Sequence, residues 1–211
     1  MAELEARPRT RRRGRPVGAD SAQTRAQILD AARRLIAAKG YPAATFQSLS
    51  AASGFSRTTL HYYFDSLDAI YQTLMAEGSA VVMRCIAMAS LEPTLPDQLA
   101  AYIAEFGRSS VSDRTTVAMI GSSRLASSRA PAPDYDPAVE VRAFLVRAVD
   151  EAIDRGELPV STDVPVLIDL LYCLFWGIAF YNGVTDDPDR VERVTRQLGD
   201  VFRSGLFDGV Q

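Results

Sequence analysis

From Ser56 to Phe64 the chain reads Ser-Arg-Thr-Thr-Leu-His-Tyr-Tyr-Phe. A guanidinium, two threonine hydroxyls, an imidazole and two phenols fall within about two helical turns. These groups donate hydrogen bonds or present flat rings. None has a nucleophile, base or metal-ligand companion at a recognisable spacing. Arg57, Thr58, Thr59, His61, Tyr62 and Tyr63 therefore suit a phosphate backbone or base edges rather than bond-making chemistry. The single histidine, His61, could also be a plain surface residue, a metal ligand or a catalytic base. The last two readings lack the further residues they need.

The elements that must hold these groups can be read from their surroundings. Leu49, Phe55 and Leu60 are spaced to meet between two short helices. Gly54 falls in the turn between them, where a β-carbon is disfavoured. Ser56 can cap the second helix by accepting from its free N–H groups. The pattern predicts a helix-turn-helix whose second helix faces DNA. Helix one is expected from Asp20 or Ser21, with Ile28, Ala32, Leu35 and Ile36 on one buried stripe and Gly40 as its stop. Tyr41 and Phe46 should close over this head. Ser66 should cap a long fourth helix, with Asp68 favourable in its first turn.

Beyond Leu67 the periodicity is helical, with no strand and no internal repeat. Breaks at Glu92–Pro96, Ser112–Asp113, Arg129–Pro137, Gly156–Ser161 and Gly183–Pro188 leave helices expected near 67–90, 97–110, 114–128, 138–155, 163–182 and 188–205. The expected fold is all-α, with about nine helices in two parts. Residues 1–20 read as a disordered Arg-rich arm, 21–66 as a helix-turn-helix DNA-binding domain, and 67–211 as a helical body for effector binding and dimerisation.

Charge follows the same division. The net charge is −3 over 211 residues. Residues 1–65 carry eleven Lys/Arg against five Asp/Glu, and the rest carries twelve against twenty-one. A basic head on an acidic body fits a nucleic-acid partner for the head alone, although Arg7–Arg15 supplies six of the eleven cations. Two cysteines, Cys85 and Cys173, make no disulfide framework. The polar N-terminus does not resemble a signal peptide, and the apolar run Leu167–Phe180 is shorter than a membrane span. The expectation is a cytoplasmic protein with no membrane partner.

The stretches TRAQILDAARRLIAAKGYPAATF and SLSAASGFSRTTLHYYFDSLDAIY resemble the TetR/AcrR family of bacterial transcriptional repressors, closely over Thr24–Leu74. The body resembles the family in helix number, length and order. The resemblance implies a homodimer that binds a palindromic operator and releases it when a small molecule enters the body. It places Thr45 at a phosphate contact opening helix two and Gln47 at the groove edge. It sets Arg57, Thr58 and Thr59 at the groove-facing start of the recognition helix. His61 stands where a Tyr is usual and Tyr63 where His or Tyr is usual, both meeting the backbone. Leu67 departs from the pattern, replacing a phosphate-binding Lys and shifting that load towards the arm. Ser48 replaces a common acidic residue. Within the arm, Arg13-Gly14-Arg15-Pro16 resembles an AT-hook, whose arginines lie in the minor groove.

In the body, Tyr102, Phe106, Met119, Phe144, Tyr172 and Trp176 are large side chains that either line an effector pocket or fill the core. The run from Tyr172 to Tyr181 is too apolar for a helix with a wet face. It is either buried within one subunit or, as the family resemblance implies, part of a dimer interface, with Gly177, Ala179 and Phe180 at the contact. Several hundred cubic ångströms of cavity would suit a mainly apolar effector. Arg108, Arg114, Arg124 and Arg142 are spaced for helix surfaces. The functional expectation is a ligand-responsive repressor, neither an enzyme nor a metal or cofactor protein. The alternative is a ligand-blind DNA-binding or architectural protein controlled by another protein.

Overall fold

The computed structural model describes residues 17–108, 111–125, 133–185 and 187–204, which form nine α-helices and one 3-10 turn with no strand among them. Helix α1 spans Val17–Lys39. Ile28, Ala32, Leu35 and Ile36 are all buried, as their spacing predicts. The helix begins earlier than Asp20, so 17–20 do not belong to an irregular arm. Asp20 lies within the first turn instead of capping it, and its carbonyl accepts from Thr24 Oγ1 at 2.8 Å. Gly40 ends the helix with φ 75°, its N–H donating to the Ile36 carbonyl at 2.8 Å. After the 3-10 turn Tyr41–Ala43 come α2 (Phe46–Ser53), α3 (Arg57–Tyr63) and α4 (Leu67–Ala89). The Ala69 N–H donates to Ser66 Oγ at 3.0 Å, so Ser66 caps α4 as expected.

The body follows with α5 (Leu95–Arg108), α6 (Val111–Leu125), α7 (Pro137–Asp154), α8 (Val164–Val184) and α9 (Pro188–Ser204). Helix α5 packs along α9 and α4, α6 lies against α1 and α8, and α7 packs on both α4 and α8. Two apolar cores result. Tyr102 stacks between Phe144 and Phe175 in the body core, with ring centroids 5.6 and 4.5 Å away. The head core gathers Ile28, Ile36, Leu49, Leu60, Ile70 and Leu74, and it takes in Met119 and Ile120 from α6. Helix α4 serves both, its first half packing in the head and its second half, from Val81, in the body. Gly78 marks the crossing with α6, where a β-carbon would collide with Ile120 Cδ1.

A second link joins α1 to α4. Arg33 is 6% exposed, yet charged, and its Nη2 lies 2.5 Å from Glu77 Oε2 while Nη1 lies 3.3 Å from Asp30 Oδ1. Its Nε finds no acceptor among the described residues. Tyr41 donates its hydroxyl proton to Asp68, and its ring packs on Tyr71 with centroids 4.7 Å apart. Burial, with Asp68 next in weight, pushes the Tyr41 phenol above its ordinary range.

Candidate nucleic-acid interface

The turn between α2 and α3 is built from local hydrogen bonds. Gly54 takes φ 75°, a left-handed conformation that L side chains rarely adopt, and its N–H donates to the Ser50 carbonyl at 3.0 Å. Ser50 Oγ donates to the Phe55 carbonyl at 2.7 Å. Leu49 and Leu60 are fully buried against each other's helices, while Phe55 is half-buried. The Thr59 N–H donates to Ser56 Oγ at 3.1 Å, so Ser56 caps α3. These bonds fix the angle at which α3 leaves the turn.

Helix α3 then sorts its side chains by the 3.6-residue period. Leu60 turns inward and Tyr63 rests partly on the head core. Arg57 with His61, and Thr58 with Tyr62, form two exposed rows one turn apart. Tyr62 is 81% exposed, with its ring edge-on to Tyr63 at 5.1 Å. Arg57 makes no ion pair with any described residue, so its donors remain available. His61 is exposed but not isolated. Its ring lies against Phe46 at 4.1 Å between centroids, which orients the imidazole from helix α2. Thr59 is half-buried and bonded to Ser56 at 2.9 Å through its hydroxyl, so it supports the cap as much as the surface.

Thr45 and Gln47 are both exposed at the start of α2. Thr45 is the N-cap, accepting from the Ser48 N–H at 3.0 Å, and Ser48 Oγ accepts in return from the Thr45 N–H at 2.8 Å. This reciprocal capping box explains Ser48, which the sequence left as a minor departure. Leu67 packs on the head core, and Arg25 holds its guanidinium 4.9 Å above the Phe64 ring. Arg13 and Arg15, with the rest of the arm to residue 16, lie outside the described residues.

The body's candidate residues divide. Tyr102, Phe106 and Trp176 line a cavity of about 30 Å³ shared with Val82, Val117, Ile120, Val141 and Phe175. That is room for about two waters, far below the several hundred cubic ångströms expected from the sequence. The other three belong elsewhere. Met119 is fully buried in the head core, because α6 leans on α1. Phe144 sits behind Tyr102. Tyr172 is half-buried on the outer side, its ring 5.9 Å from Trp176 and 5.8 Å below the Arg142 guanidinium. Helical periodicity alone could not separate a cavity wall from the layer behind it. Residues such as Val117 and Ile120 were missed because nothing distinguishes them from ordinary core.

On α8, Ala179 is a correction. It turns inward and is buried in the body core with Ile178. Gly177 and Phe180 instead face out, continuing a stripe of Val166, Leu170 and Cys173 at helical spacing. Arg108 pairs with Glu105 and Arg142 with Asp169, both at 2.9 Å, on the surfaces where their spacing put them. Burial pushes the Cys85 thiol up to about 12, so it is an inert core thiol. Among the described residues no group of three or more His, Cys, Asp or Glu is arranged to hold a metal ion.

Comparison with known proteins agrees with this geometry. The model for bacterial regulatory proteins of the tetR family matches residues 28–74, from the buried stripe of α1 to the first half of α4. The HTH-type transcriptional repressor Rv1474c of Mycobacterium tuberculosis is 36% identical over 80 residues, covering 38% of this chain and 43% of that protein. The chain thus spans less than half the length of this curated relative. In fold, the chain is similar to the TetR family transcriptional regulator PfmR from Thermus thermophilus, with a TM-score of 0.66 at 18% identity over 87% of this chain and 97% of that one. It is also similar to the regulator FadR from Bacillus subtilis, solved with stearoyl-CoA, with a TM-score of 0.59 at 15% identity over 86% and 98% of the two chains. That family is one of regulators rather than an enzyme class. Residues 28–74 thus match the head of the tetR family of bacterial regulatory proteins, and the order of the helices and the fold are those of solved TetR family regulators.

Proposed function

We propose that the protein is a homodimeric, ligand-responsive transcriptional repressor that binds a palindromic operator and is released by a small, mainly apolar effector. The observation that carries the DNA reading is the pair of exposed rows on α3. Arg57, Thr58, His61 and Tyr62 stand unobstructed on a helix whose exit angle is fixed by Gly54 and Ser56. A dimer would set two such helices in successive major grooves about 34–36 Å apart. Selection from random duplexes should return an inverted repeat. Recovery of generic, salt-sensitive binding with no enriched motif would refute the reading.

Support for dimerisation comes from α8. Its window Val164–Asn182 has a mean hydropathy of 1.9, yet only 28% of it is buried within one protomer. By length and composition alone it could cross a membrane. Its inward residues Ile168, Leu171 and Phe175 form part of the body core, however, which leaves the outward stripe for a second copy of the chain. The small volume of the cavity favours one competing reading, a ligand-blind regulator controlled by another protein. A saturable small-molecule effect on operator affinity separates the two.

Within this reading Arg57→Ala should weaken binding to the selected site more than to random duplex. Arg57 is the only long cation on α3. A bidentate contact to guanine supplies roughly 1–3 kcal/mol of discrimination. Equal losses on both duplexes, measured by fluorescence anisotropy, would make Arg57 a phosphate contact instead.

Deleting residues 1–16 should flatten the salt dependence. The segment carries Arg7, Arg9, Arg11, Arg12, Arg13 and Arg15. At about −0.9 per neutralised phosphate, the slope of log affinity against log salt should fall by up to ~5. An unchanged slope would leave the arm in solvent, and the Lys-to-Leu departure at Leu67 would then be uncompensated.

A further inference from the structure

The chain has a single histidine, and it stands on the exposed side of α3. His61 shares a row with Arg57, one turn earlier. Phe46 backs its ring from α2, with centroids 4.1 Å apart and planes 34° from parallel. Neither imidazole nitrogen is hydrogen-bonded to a described residue. The groups around the ring supply no counter-ion. Helix α2 carries no titratable residue. On α3 the titratable neighbours are Arg57, Tyr62 and Tyr63. Arg25 of α1 lies over Phe64, past the end of α3, and Asp68 of α4 is bonded to Tyr41. Asp65, four residues on, is exposed beyond the helix end and forms no ion pair with the imidazole.

We propose that operator binding takes up a proton at His61, so that the affinity of this head for DNA rises as the pH falls through the imidazole range, about pH 8 to 5. The proposal rests on the DNA reading above and adds a regulation to it. Neutral imidazole offers a phosphate one N–H donor, while its other nitrogen is an acceptor that an anionic oxygen cannot use. Imidazolium offers two donors and a positive charge. With no carboxylate paired to the ring in the free protein, the phosphate is the first anion it meets. That phosphate favours the protonated form, and the complex then holds more protons than its separated parts. By linkage, the added affinity is complete below the pH at which the free ring titrates. It is lost as the pH rises through the higher value of the bound ring.

Full-length protein would be titrated with the selected duplex at both ends of this range and at one ionic strength, by fluorescence anisotropy. Binding should be roughly fivefold tighter near pH 6 than near pH 8. His61→Gln keeps a donor and an acceptor but does not titrate, so its two affinities should agree within about twofold. His61→Arg carries a permanent charge and should be equally flat. Every other titrating group, the N-terminal amine included, is common to the three proteins, so the comparison isolates the imidazole. Calorimetry of the unmutated protein in two buffers of different ionisation enthalpy reads the proton directly, with about half a proton taken up per head near pH 7. Equal affinities of the unmutated protein at the two pH values, the same pH dependence in His61→Gln, or no proton uptake would overturn the inference and leave the DNA reading in place. A protein that selects no duplex at either pH removes both.

Discussion

Gly177→Glu is expected to leave the protomer folded and to abolish the dimer. A β-carbon at Gly177 meets nothing within 4 Å, so the substitution creates no clash inside one chain. Glycine costs close to 1 kcal/mol in a helix interior relative to alanine, so α8 itself should gain a few tenths of a kcal/mol. The loss lies between chains. In a two-fold interface each substitution appears twice, and an unpaired buried carboxylate costs several kcal/mol. The dimer dissociation constant should rise by on the order of a thousandfold or more. Operator binding should fall with it, since one head meets half a site. Sedimentation velocity and operator titration test this together. A Gly177→Glu protein that remains dimeric with full operator affinity would move the interface off the α8 stripe, and Phe180→Asp, at 56% exposure, provides the independent check.

The second large effect is an asymmetry across the buried ion pair between α1 and α4. The Arg33 side chain is 8% exposed, whereas those of Glu77 and Asp30 are 40% and 43% exposed. Glu77→Ala strands a buried guanidinium with one longer contact and an already unsatisfied Nε. Removing one member of a buried pair costs about 3–5 kcal/mol, and the remaining Asp30 should hold this near 2–3 kcal/mol. Arg33→Met removes the buried charge and leaves two carboxylates that water already reaches, so its cost should stay below about 1 kcal/mol. In thermal denaturation Glu77→Ala should lower Tm by roughly 5–10 °C and Arg33→Met by a few degrees at most. The reverse order would mean that Glu77 needs Arg33 more than Arg33 needs Glu77.

The two halves of the chain differed in how much their sequence disclosed. The head was legible because its features are local. A left-handed Gly54, the Ser56 and Ser66 caps and the stripe from Ile28 to Ile36 each depend on residues within one turn or loop. Helix number and order in the body were legible for the same reason, through Pro and Gly breaks. The pocket was not. Whether Phe144 lines a void or backs the residue that does depends on how α7 meets α5, a contact far apart in sequence. Ala179 and Gly177 are both small residues in one apolar run, and only their rotation about α8 separates core from surface. Met119 was misplaced because no local pattern announces that a body helix will lend side chains to the head.

That loan has a practical side. The match to the family model ends at residue 74, whereas the apolar centre it encloses is completed by Met119 and Ile120, at 0% and 1% exposure. A minimal head excised after α4 would lose both side chains and leave a hole in the cluster that also holds Ile28, Ile70 and Leu74. Each missing large aliphatic group costs about 2–5 kcal/mol, comparable to the whole stability of a small domain. Grafting this head onto another protein body should therefore carry α6 along or rebuild its two contacts. The transplantable module is discontinuous in the chain, and a cut guided by sequence similarity alone would fall inside it.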